Sequence, residues 1–182
     1  MQLCRKHRSS LSLAEADRCL NVMPLFHVHG LVAGLLAPLR AGGSVVCTPG
    51  FDGTRFFEWL DQFRPSWYTA VPAIHQDILR RASDNAEIIA AHHLRFIRSS
   101  SSSLPPRVMK ELEAVFDVPV IEAYGMTEAA HQIASNPPAT GKQKTRVGRF
   151  RNRLTGCDPG QGRQSGSGRP NRRGRNSRAK CH

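Results

Sequence analysis

The residues best placed to do chemistry lie in Tyr124-Gly125-Met126-Thr127-Glu128, which follows the apolar run 118–123 and leads into a helix start. The apolar run reads as a short buried strand, and Gly125 lets the backbone turn sharply as it leaves a sheet. Three different groups then reach one place. Tyr124 offers a flat ring for a base, Thr127 a hydroxyl for a phosphate oxygen, and Glu128 a carboxylate suited to Mg²⁺. Together these groups suit a nucleotide. The same residues also read as an ordinary turn followed by a helix N-cap.

Two further stretches carry reactive side chains: Pro24-Leu25-Phe26-His27, and the run from Arg98 through five serines to Leu104-Pro105. His27 sits at a strand-to-helix turn, where a backbone group could satisfy it or where it could face a ligand. The serines read as a small-residue loop after a strand, either flexible or shaped for a ligand. His27 and His29 could pair on a metal, although no third ligand of fitting type is near in sequence. His75, His92 and His93 are expected at surfaces or helix edges, and Met23, Met109 and Met126 in packing.

The elements that must position these groups follow from hydrophobic period and punctuation. Strands are expected over 18–23, 44–48, 67–71, 94–97 and 118–123. Between them, helices are expected over 27–39, ended by Gly42-Gly43, and after Asp52 as cap, with Phe56, Phe57, Leu60 and Phe63 on one face. Pro65 ends that helix. A further helix opens at Pro72 and carries Ile74, Ile78 and Leu79, a short one covers 86–91, and one opening at Pro105 packs Val108, Leu112, Val115 and Phe116. Strands alternating with helices imply an α/β fold, a mostly parallel sheet with flanking helices and right-handed crossovers. Ligands of such sheets lie beyond the carboxyl ends of the strands, where all three motifs fall.

In this order and at these separations, the three motifs resemble the adenylate-forming (AMP-binding) superfamily of acyl-CoA synthetases, acid-CoA ligases and luciferases, over about residues 11–150. The resemblance implies part of a large N-terminal domain and a two-step reaction. A carboxylate attacks the α-phosphate of ATP to give an acyl-adenylate and pyrophosphate, and coenzyme A then displaces AMP to form a thioester. On the matched positions it implies catalytic roles for His27, Thr127 and Glu128, the last holding Mg²⁺. It also implies a nucleotide site of Ser100, Ser101, Ser102, Tyr124, Gly125, Met126 and Thr127. Many relatives carry Gly, Ala and Pro where this chain has serine. His131-Gln132 and the serine-rich loop resemble the oxalate-CoA ligase-like branch, which implies a small or polar acid. The family's Thr/Ser/Gly-rich phosphate loop ending in Lys, its ribose-binding aspartate and its C-terminal catalytic lysine find no match, so the expectation is a fragment unable to catalyse either half-reaction alone.

Composition sets the remaining bounds. The chain of 182 residues has a formal net charge of +12, but residues 151–182 hold nine Lys or Arg against one acid, Asp158, a balance of +8. That tail, almost without apolar residues, is expected to be disordered, with 1–10 a polar edge and 11–150 the partial AMP-binding domain. Two origins fit the tail: an Arg/Gly-rich nucleic-acid-binding segment, which would make this a basic binding protein on a worn enzyme core, or a change of reading frame near residues 147–150. A non-functional truncated product is the third reading. Five cysteines at 4, 19, 47, 157 and 181 form no paired spacing, which suits a reducing, cytoplasmic setting better than a disulfide framework. The longest nearly apolar run, 30–39, is too short to span a bilayer, and no signal peptide is evident.

Overall fold

In the computed structural model, residues 11–125 and 134–135 are described. The expectations for 1–10, for Met126, Thr127 and Glu128, for His131-Gln132 and for the tail 151–182, nucleic-acid binding included, lie outside them.

Five strands run parallel: β1 (Arg18–Asn21), β2 (Ser44–Cys47), β3 (Trp67–Ala70), β4 (Phe96–Ser99) and β5 (Val120–Tyr124), in the spatial order β2-β1-β3-β4-β5. A sixth, β6 (Ala134–Ser135), pairs antiparallel with the end of β5 and was not expected from sequence. Two residues carry too little pattern to be read as a strand.

Helices cover both faces, as expected for a parallel sheet whose strands are apolar on both sides. Leu20, Tyr68, Ile97 and Val120 point to one face, where they pack with Phe56, Phe57 and Leu60 of α3 (Arg55–Phe63), Ile78 of α4 (Pro72–Arg81), and Val108, Leu112 and Phe116 of α6 (Pro106–Phe116). Cys19, Trp67, Phe96 and Ile121, one residue out of phase with the first set, point to the other. They meet Ala37 of α2 (Ala37–Arg40), with Leu11, Leu13 and Ala41 beside it. The short α5 (Ala86–Ala91) completes the first layer, with Ile88 and Ile89 against its core.

Local chemistry sets the boundaries. Asp52 Oδ1 accepts from the backbone N–H groups of Thr54 and Arg55 at 2.9 and 3.1 Å, so it does cap α3. Arg64 closes the same helix in the left-handed region at φ 45° before Pro65. The expected helix 27–39 begins instead as a π-helical segment, α1 (His29–Leu36), whose last bond runs from Ala37 N–H to Val32 C=O. Pro38, with no N–H to donate, lies just past that last bond. Gly30 is needed at its start, because a Cβ there would fall inside the backbone carbonyls of Met23 and Pro24.

Three expectations are corrected. β4 and β5 each extend past their expected carboxyl ends, β4 to Ser99 and β5 to Tyr124. Val115 is 38% exposed, because it lies just off the Val108–Leu112–Phe116 stripe that faces the core. His75 is fully buried and His92 nearly so. α4 turns His75 toward Tyr68, whose hydroxyl lies 3.1 Å from its Nδ1, and Asp61 Oδ1 lies 2.8 Å from His92 Nε2. A polar ring at helical spacing can be core when a partner waits there.

Candidate functional site

Strand register builds the site. Asn21 pairs with Thr69, and Thr69 with Arg98, so three polar side chains form a row across β1, β3 and β4 near their carboxyl ends. They share the face of Cys19, Trp67 and Phe96, since side chains two apart in a strand point the same way. All three are buried.

Arg98 is 0% exposed, and burial pulls its pKa down to about 10, so the guanidinium still carries its charge at neutral pH. One arm of it, Nη1, donates to Thr69 Oγ1 and to His29 Nε2, each at 3.2 Å. His29 Nε2 also lies 2.7 Å from Thr69 Oγ1, and its Nδ1 lies 2.9 Å from Ser101 Oγ. Because Arg98 can only donate, we assign Nε2 as the acceptor and place the ring proton on Nδ1, facing Ser101 Oγ. This pairing compensates the cost of taking the polar groups out of water.

Asn21 fixes the neighbouring turn. Its Nδ2 donates to Gly30 C=O at 3.1 Å while its Oδ1 accepts from Met23 N–H at 3.2 Å. The segment 22–30 is thereby tied to the end of β1. A Cβ at Gly34 would strike Asn21 Oδ1 at 2.5 Å, so the helix can lie this close only without one.

The serine loop is anchored at several points. Ser100 is buried, and its hydroxyl donates to Ala123 C=O at 2.8 Å. Leu104 N–H donates to Glu122 Oε1 at 2.9 Å. Between these ties, Ser101 adopts φ 76°, the left-handed region that favours glycine. Ser101, Ser102 and Ser103 are exposed. At the end of the adjacent strand Tyr124 is 52% exposed, with Gly125 following it.

The structure therefore brings Ser100, Ser101, Ser102, Tyr124 and Gly125 to the carboxyl ends of β4 and β5. His27 is exposed on the turn after β1, its ring centroid 4.5 Å from that of Phe26, which is itself 84% exposed. The residue that reaches the serine loop is its neighbour but one, His29. A metal pair of His27 and His29 does not fit, because both ring nitrogens of His29 are engaged. Sequence reading gave no role to Thr69, weighed His29 only as half of a metal pair, and named Arg98 only as the head of the serine run. A signal was present: a charged residue inside Phe-Ile-Arg-Ser, a central strand buried on both faces, has to find buried partners.

Comparisons with known proteins agree with this geometry. The family model described as AMP-binding enzyme matches residues 1–164. The chain is 48% identical over 135 residues to an oxalate–CoA ligase of Arabidopsis thaliana, covering 72% of this chain and 26% of that protein. It is 43% identical over 143 residues to an oxalate–CoA ligase of Saccharomyces cerevisiae, covering 75% and 26%. Among solved structures, a malonyl-CoA ligase product complex with methylmalonyl-CoA and AMP bound superposes with a TM-score of 0.68 at 30% identity, covering 79% of this chain and 31% of that one. A benzoate CoA ligase from Burkholderia xenovorans LB400 gives 0.66 at 26% identity, covering 72% and 27%. The chain thus spans about a quarter of the length of the curated relatives it matches.

Proposed function

The chain belongs to the AMP-binding enzyme family, among its adenylate-forming acid–CoA ligases, and from that premise we propose that it forms the strand-end wall of a site where a carboxylic acid is activated by ATP and passed to coenzyme A. The carboxylate oxygen attacks the α-phosphorus, the bond to the β-phosphate oxygen breaks, and pyrophosphate leaves. The thiol sulfur then attacks the acyl carbon, and AMP leaves with the bonding pair.

One observation carries this reading. The serine loop, tied down by Ser100 and Glu122, stands beside the exposed ring of Tyr124 at the carboxyl ends of adjacent parallel strands, where nucleotides bind in such sheets. In the proposed arrangement Tyr124 lies against adenine, while Ser100, Ser101 and Ser102 with Gly125 and Met126 line the nucleotide. Thr127 donates to a phosphate oxygen. Glu128 binds Mg²⁺, a hard cation that suits one carboxylate completed by phosphates and water and would supply charge neutralisation at the phosphates. In this arrangement Glu128 and the nucleotide phosphates together make the donor set. His27, on the opposite rim, is proposed to face the path of the carboxylate and thiol.

Relatives named for oxalate and sulfoacetate support a short acid bearing a second negative group. No described helix is long and apolar enough to cross a membrane. The free thiols of Cys19 and Cys47 support a reducing, cytoplasmic setting.

Calorimetric titration of the full chain with AMP and with a sulfamoyl acyl-adenylate analogue tests the site. Binding that weakens about tenfold or more in Tyr124→Ala and Thr127→Ala is expected. A cooperatively folded chain that takes up neither compound at millimolar concentration would overturn the reading.

A further inference from the structure

We propose that His29 is a positioning residue, which holds the serine loop in its ligand-ready shape through the bond from Nδ1–H to Ser101 Oγ. Ser100 Oγ to Ala123 and Leu104 N–H to Glu122 tie the loop to β5, and Ser100 N–H donates to Ala70 C=O at the end of β3 at 3.2 Å. His29 reaches the loop from the far side, from the helix after β1, across 72 residues of sequence.

Ser101 needs such a tie. A serine at φ 76° sits where an L side chain is disfavoured, and such a conformation persists when its surroundings over-determine it. The bond at 2.9 Å supplies that constraint, and the orientation of the ring decides whether the bond exists. Arg98 and Thr69 set that orientation. Because Arg98 Nη1 points its N–H at Nε2, the proton is kept on the nitrogen that faces Ser101. The buried row on the sheet therefore acts on the loop through one imidazole.

The consequence for ligand binding rests on the nucleotide-site reading above, whereas the tether itself does not. Two amide substitutions separate the two ring nitrogens. His29→Asn can place an N–H near the Nδ1 position and keep the bond to Ser101. His29→Gln reaches the Nε2 position, facing Thr69 and Arg98, and loses it.

Two readouts are made on the full chain and both variants: hydrogen exchange by mass spectrometry over residues 99–104 without ligand, and AMP affinity by calorimetry. Faster loop exchange in His29→Gln than in His29→Asn, with AMP affinity about tenfold lower in His29→Gln alone, is expected. A purely structural histidine would instead lower thermal stability in both variants and leave loop exchange and affinity equal between them. Equal exchange overturns the proposal even if AMP binds normally. If the unsubstituted chain takes no AMP but the exchange contrast appears, the nucleotide site fails and the tether stands.

Discussion

Lowering the pH should destabilise this fold through His75 in particular. The imidazole is fully buried, with its Nδ1 against the Tyr68 hydroxyl and the backbone of Ala70 and Arg98 close to the ring. Burial lowers its pKa from the usual 6.5 to about 4, only partly offset by those backbone groups. Burial also pushes the Tyr68 hydroxyl well up, so that group stays protonated and donates to Nδ1. The folded-state pKa lies below the unfolded one, so as pH falls the unfolded chain takes the proton first. The contribution is whole above pH 6.5, is lost as pH falls toward about 4, and changes no further below that. Its ceiling is roughly 3 kcal/mol, of which roughly 2 kcal/mol is lost between pH 7 and 4.5. Urea unfolding followed through the buried Trp59 and Trp67 measures this in the parent and in His75→Asn, whose amide oxygen lies near the Nδ1 position and can still accept from Tyr68. The parent should lose about 2 kcal/mol more than the variant over that interval. Parallel stability curves, or a proton NMR titration placing His75 near 6.5, would refute the argument.

Three substitutions probe the frame around the site. Gly30→Ala should cost about 2 kcal/mol or more, seen as a lowered unfolding midpoint, since the added Cβ meets two backbone carbonyls that cannot move aside. Asp17→Ala should cost about 2–3 kcal/mol in the same assay, because Asp17 accepts from Arg95 at 2.7 and 3.0 Å, from Ser66 and from the backbone of Ala14. Arg64→Gly should act in the opposite sense and stabilise by about 0.5 kcal/mol, as the helix end holds φ 45°. A destabilised Arg64→Gly would show that the side chain makes contacts that outweigh the backbone strain.

By itself the sequence determined the alternation of strands and helices, because apolar period, proline and glycine are local signals. Phe56, Phe57 and Leu60 are placed by their spacing, and α4 and α6 begin at the prolines that punctuate the chain. The parallel sheet followed from that alternation, and with it the place of His27, the serine loop and Tyr124-Gly125 at the carboxyl ends of the strands. Tertiary structure decided which polar groups meet. In Phe26-His27-Val28-His29 the two histidines look alike, and only the turn under the Met23 and Pro24 carbonyls leaves one exposed and buries the other. Arg98, Thr69 and Asn21 become neighbours through register between strands far apart in sequence, which no local pattern encodes. His75 reads as a polar helix position until α4 is laid against Tyr68. Burial of a polar side chain depends on a partner delivered by another element, and that pairing is settled only when the elements pack.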